Sequence, residues 1–299
     1  MPARVEHVDY DISDTTLSGL IARPAPGVAS RGVLLAVHGG GSRAAYWHRD
    51  AAPHESLLVL GASLGWTVLA IDRPGYGASA GLDRARQGLD AQAETLFGLL
   101  EQLGDVPVFV AAHSMGGLVT LRMGADERGR DLLGLAVAGV PLKFTEERLA
   151  AFAAIPTEPD TVPPRGGETP ATFFGPVGSY DPALLTRAGR VVAPVPMAEF
   201  QDARMSPFTL PDTLARVRVP VQWTVAEFER ANVAGLEILA AARSLLVASP
   251  YVETHTQPGV GHNISLHHGA RAYHLRVLAF AEECLLARAS TRRGAGVVA

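Results

Sequence analysis

The stretch Val106-Pro-Val-Phe-Val-Ala-Ala-His-Ser-Met-Gly-Gly-Leu-Val-Thr120 decides the fold. Residues 108–111 are a short β-branched and aromatic run with no polar face, as expected of a strand buried on both sides. Leu118, Leu121 and Arg122 then fall at helical spacing, and Ser114 sits at the break. A strand that passes straight into a helix holds its turn residue in a strained conformation, and only small neighbours let the two elements approach. Ala112 and Gly116 stand two residues to either side of Ser114, and Gly117 follows. A serine that merely caps a helix also explains the hydroxyl, so the rest of the chain has to decide.

With this spacing the segment resembles the Gly-x-Ser-x-Gly nucleophile elbow of the α/β-hydrolase superfamily, with alanine in the first glycine position. The resemblance implies an α/β fold: a mostly parallel central sheet flanked by helices, with an inserted cap. It also implies a serine nucleophile whose partners follow in the chain order Ser, then Asp or Glu, then His.

A chain of 299 residues, 47% hydrophobic and 19% charged, can bury a sizeable core as one large domain with an insertion. The net charge of −4 offers no basic surface, so nucleic acid is not an expected partner. Cys284 is the single cysteine, so no internal disulfide forms, and no apolar run approaches the roughly 20 residues of a membrane span. The first residues carry no apolar signal segment, and a reducing cytoplasm is the expected location.

In chain order, residues 4–10 and 16–23 read as an antiparallel hairpin around the polar turn 11–14. Residues 33–37 form an apolar strand ending in His38-Gly39-Gly40-Gly41. Glycines at the carboxyl end of a buried strand free backbone N–H groups to face a ligand crevice. Here the likeness is to the His-Gly-Gly-Gly oxyanion element of esterases and lipases. The alternative is a flexible turn. Residues 55–64 and 89–103 carry apolar helical faces, and 66–71 and 132–140 read as further strands. Asp72, after the strand 66–71, precedes the serine and so breaks the expected order; a turn-forming or Arg-paired role accounts for it.

After Pro141 the alternation of strand and helix stops. Residues 142–216 hold helical patterns at 146–154 and 197–205 around a Pro/Gly-rich stretch, 156–182, and are expected to be a cap over the crevice. Phe144, Phe152, Phe173, Phe174, Tyr180, Phe200 and Phe208 could line it, or simply hold it to the body. The hydrolase core is then expected to comprise residues 1–141 and 217–289, with 290–299 a disordered tail.

The sheet resumes at 219–225, followed by Ala226-Glu227-Phe228-Glu229-Arg230. The resemblance places the triad acid in this turn. Glu229 takes the position, Glu227 takes it if the turn differs by one residue, and Asp212 is a third candidate. Beyond a helix at 233–246 and a strand at 251–256, Gly259-Val260-Gly261-His262 puts a histidine where the family carries its base. His38 is expected to brace its loop, His267 and His268 to open a final helix at 266–289, and Cys284 to be core.

The resemblance therefore implies Ser114 as nucleophile, His262 as general base and Glu229 as its orienting acid. Backbone N–H groups of Gly40 and Met115 are the expected oxyanion donors, with the choice among Gly39, Gly40 and Gly41 open. A small-molecule carboxylic ester or thioester is the expected substrate. The alternative is the same triad turned to elimination, acyl transfer or C–C bond hydrolysis. No zinc-type His/Cys cluster and no Gly-x-Gly-x-x-Gly fingerprint occurs in the sequence, so neither metal nor cofactor is expected.

Overall fold

The computed structural model describes residues 3–163, 169–186 and 191–295. The chain opens with β1 (Val5–Ile12) and β2 (Thr15–Ala22), paired antiparallel as far as Ile12 opposite Thr15. The turn is thus two residues, with Ser13 at φ 55°, and both strands run further into it than the expected four-residue turn allowed. Then follow β3 (Gly32–Val37), β4 (Trp66–Ile71), β5 (Val108–His113) and β6 (Gly134–Ala138). A small antiparallel pair, β7 (Thr161–Val162) and β8 (Val195–Pro196), stands apart, before β9 (Val221–Phe228) and β10 (Val252–Gly261) complete the main sheet. Its spatial order is β1-β2-β4-β3-β5-β6-β9-β10, and β2 alone runs against its neighbours.

Period-two alternation explains why the central strands carry no polar face. Leu35 of β3 and Val110 of β5 join a core layer with Leu96, Leu99 and Leu118, from the helices Leu89–Leu103 and Met115–Ala125. Leu34, Ala36, Phe109 and Ala111 face the other way, against Leu57, Leu58, Val277 and Phe280 of the helices Leu57–Ser63 and Ala270–Ala295. Both faces of the sheet are covered, so β3, β4 and β6 are almost wholly apolar, and buried polar side chains enter at His113 of β5 and at Gln222 and Thr224 of β9. The carboxyl ends of β3, β5, β6, β9 and β10 consequently lie along one rim.

Three expectations need correction. The final helix begins at Ala270, four residues late, because His267 and His268 belong to the preceding loop: the buried His267 ring accepts the N–H groups of Gly175 and Gly261. That helix also runs to Ala295, so most of the expected tail, 290–299, is helical; Ser290 still back-bonds to the Leu286 carbonyl, and 296–299 fall outside the described residues. Between β6 and β9, the expected helical patterns are Glu146–Ala153 and Met197–Arg204, but a further helix, Ser206–Leu214, follows. Pro207 lies in its first turn, where a missing N–H costs nothing, and only Pro211 interrupts its interior.

Candidate active site

Ser114 holds φ 51° and ψ −121° at the junction of β5 with the helix Met115–Ala125. A non-glycine residue in this region stores on the order of 1–3 kcal/mol and persists only where its surroundings fix it. Here its N–H donates to the Ala138 carbonyl at 2.7 Å and its own carbonyl accepts from Gly117 at 2.9 Å. Although Ser114 occupies the N-cap position, its side chain makes no capping hydrogen bond. The hydroxyl is therefore not spent on ending the helix. Gly116 is required by contact, since a Cβ there would run into the carbonyl oxygens of Val37 and His38.

At the same rim, His262 Nδ1 lies 2.8 Å from Glu229 Oε2, with side chains 3% and 2% exposed. A carboxylate opposite Nδ1 makes that nitrogen the N–H, leaving Nε2 as the proton acceptor. The other oxygen of Glu229 accepts from the N–H groups of Ala231 and Asn232 at 2.8 and 3.3 Å, and Asn232 Nδ2 donates to the Gly139 carbonyl. Glu227 is elsewhere: it is the penultimate residue of β9, exposed, and accepts the Gly259 N–H at 2.7 Å. Asp212 is exposed on the helix Ser206–Leu214.

The serine and histidine segments meet through His113. Its Nε2 donates to the His262 carbonyl at 2.8 Å, its ring packs edge-on against the His262 ring at 4.7 Å, and Tyr46 stacks on it at 4.6 Å. Burial holds the His113 imidazole well below its ordinary pKa, so it is a neutral strut. The His262 ring also closes on Gly139, where a Cβ would stand 2.9 Å from Cε1.

The glycine loop lies over the elbow. A Cβ on Gly39 would sit 3.1 Å from the Ser114 Cβ and 2.7 Å from His113 Nδ1, and one on Gly40 would strike the Met115 sulfur. Gly41 already donates its N–H to the Tyr76 hydroxyl at 3.2 Å. His38 braces this loop as expected: Nδ1 donates to the Gly39 carbonyl at 2.7 Å, and Nε2 accepts the Arg73 N–H at 3.0 Å. Asp72 accepts from Ala44 N–H and the Ser18 hydroxyl, which suits a turn role.

The expected aromatics divide by neighbourhood. Phe144, Phe152 and Phe200 form a small core with Val162 and Met197, against which Met115 packs. Phe174 and Tyr180 pack around His267, and Phe208 is exposed. Phe173 alone meets the histidine site, edge-on to His262 at 5.5 Å. Sequence reasoning did not single out Arg73, Gln92, Glu199 or Asn232. Gln92 carried a signal, since it interrupts the apolar stripe of its helix.

A family described as the alpha/beta hydrolase family matches residues 33–274, and the chain belongs to it. The magnesium-chelatase 30 kDa subunit of Rhodobacter capsulatus is 30% identical over 157 residues, 50% of this chain and 49% of that one. An esterase from Mycobacterium tuberculosis is 34% identical over 108 residues, 36% of this chain and 32% of that one. The chain thus spans about half or less of the length of these relatives. Among solved structures, a thermostable carboxyl esterase from Bacillus coagulans superposes with a TM-score of 0.70 at 17% identity, covering 94% of this chain and 99% of that one. At that identity the likeness speaks for the fold. Among the described residues, no helix is long and apolar enough to cross a membrane.

Proposed function

We propose that the protein is a serine hydrolase that cleaves a small-molecule carboxylic ester or thioester through Ser114, His262 and Glu229. The observation that carries this reading is the buried 2.8 Å contact of Glu229 with His262 Nδ1, at the rim where Ser114 is held at positive φ with a side chain that makes no capping hydrogen bond. The esterase among its relatives supports the same class. Residues 142–216 act as the cap that selects the substrate, and the lone buried thiol of Cys284 suits a cytoplasmic protein.

In the first half-reaction His262 Nε2 takes the Ser114 proton as Oγ attacks the acyl carbonyl, and Glu229 stabilises the imidazolium. The carbonyl oxygen becomes an oxyanion, for which the N–H groups of Gly40 and Met115 are the donors. Met115 begins its helix, so its N–H has no partner within that helix. The imidazolium then protonates the leaving alcohol or thiol, giving an acyl-Ser114 ester. Water, deprotonated by His262, attacks that ester and releases the acid. Each donor is worth on the order of 3 kcal/mol in the transition state.

The test combines a fluorophosphonate probe with a panel of p-nitrophenyl acyl esters. Phosphonylation located at Ser114, and turnover abolished in Ser114→Ala, are the expected results. Ester turnover that survives Ser114→Ala would defeat the proposal.

A further inference from the structure

Arg73 and Glu199 form an ion pair at 2.7 Å with both side chains fully buried. Arg73 follows β4 in the body of the enzyme, whereas Glu199 lies on the helix Met197–Arg204, in the segment between β6 and β9. Every arm of the guanidinium is engaged: Nη2 with Glu199 Oε1, Nη1 with Gln92 Oε1 at 2.5 Å, and Nε with the His38 carbonyl at 2.8 Å. Gln92 closes the ring by donating to Glu199 Oε2 at 3.2 Å. Surface packing of a cap needs no such arrangement, because a buried ion pair is poor value for stability compared with apolar side chains.

The placement of Arg73 suggests what the network does. Its main-chain N–H and its Nε both bind His38, on the ring and on the carbonyl. His38 in turn binds the Gly39 carbonyl through Nδ1. In a trans peptide the N–H points opposite to the C=O. Holding the carbonyls of His38 and Gly39 therefore fixes the directions of the Gly39 and Gly40 N–H groups, beside the elbow.

We propose that Arg73 and Glu199 are positioning residues for the oxyanion loop, with Glu199 setting the aim of the Gly40 N–H through Arg73 and His38. The seating of the helix Met197–Arg204 is thereby coupled to the power of the catalytic centre as well as to access. This inference rests on the ester-hydrolase reading for its kinetic consequence, and on the hydrogen-bond chain alone for its structural one.

Two variants test it: Glu199→Gln, which keeps shape and loses charge, and the paired replacement Arg73→Met with Glu199→Leu, which leaves no charge unpaired. In the paired variant kcat on p-nitrophenyl acetate is expected to fall about 100-fold, the scale of losing one oxyanion donor, with KM nearly unchanged. Glu199→Gln is expected to fall between this and the wild type. Hydrogen exchange in a peptide spanning residues 38–44 is expected to rise about 10-fold in both, while β6 and β9 keep their protection. A role confined to stability would lower Tm and leave the kcat of the folded enzyme intact. Unchanged kcat, or a change in KM alone, overturns the proposal, and so does unchanged exchange at 38–44. If the wild type neither turns over esters nor labels at Ser114, the hydrolase reading fails by itself, and the exchange data still decide the coupling. If the paired variant does not fold, Glu199→Gln decides both measurements.

Discussion

Glu229 meets His262 Nδ1 at 2.8 Å, while Glu227, two residues earlier, turns out to the Gly259 N–H. The difference arises where β9 ends. Glu227 still belongs to the strand, whereas Glu229 lies past Phe228 in a turn whose N–H groups gather its carboxylate. Glu227 braces the loop leading to His262, and Glu229 touches its ring.

Glu229→Gln is accordingly expected to lower kcat by roughly 10³–10⁴-fold, because an amide no longer fixes the useful tautomer or stabilises the imidazolium. Glu227→Gln is expected to leave kcat within a few-fold. Steady-state kinetics on one p-nitrophenyl ester compares the two, and a larger loss in Glu227→Gln would reassign the acid.

Gly116→Ala tests the fit of the elbow. The added methyl meets main-chain oxygens that cannot rotate away, so the helix must move off β3, with an expected destabilisation of about 1–3 kcal/mol and loss of Ser114 labelling. Gly81→Ala, where no atom lies within 4 Å of the new carbon, serves as the control and is expected to be neutral. Urea midpoints and probe labelling measure both.

Breaking the buried pair has a cost separate from catalysis. Glu199→Ala leaves Arg73 charged and without its acid, with an expected loss of about 3–5 kcal/mol. The paired replacement Arg73→Met with Glu199→Leu is expected to recover most of that loss. Chemical denaturation of the three proteins at one pH gives the comparison, and equal losses in the single and paired variants would contradict it.

Acid is expected to unfold the protein through its buried imidazoles. Burial pushes His267 and His274 down to about 4 in the fold, from an ordinary value of 6.5. As pH falls below 6.5 the unfolded chain takes up these protons while the native state refuses them. The contribution of each, roughly 3 kcal/mol, is complete above about pH 6.5 and is lost progressively down to about pH 4. His38 and His113, also lowered by burial, act in the same direction. A Tm series from pH 7.5 to 4.5 should slope accordingly, with a shallower slope in His274→Gln; a flat series would count against this account.

The sheet was legible because strands covered on both faces read as apolar runs, and β4 and the helix Leu89–Leu103 begin and end where their patterns do. The family resemblance pointed to His262 and to the turn holding Glu227 and Glu229, and of these two glutamates it is Glu229 that meets the His262 ring. The helix Ser206–Leu214 was not, because two prolines disguise a pattern they barely disturb. Nor were Arg73 and Glu199, separated by 126 positions, since each charge by itself reads as a solvated side chain. Their only local trace is Gln92, a polar residue where its helix should show another leucine.

β6 and β9 are neighbours in the sheet, so the excursion between them leaves and returns one strand spacing apart. Closing a longer or shorter loop across fixed anchors changes the entropy only logarithmically. Evolution or a protein engineer could therefore graft a different excursion here without re-registering a single strand. A graft that kept Arg73 would still have to bring a carboxylate to its guanidinium, so the junction is open to exchange only on that condition.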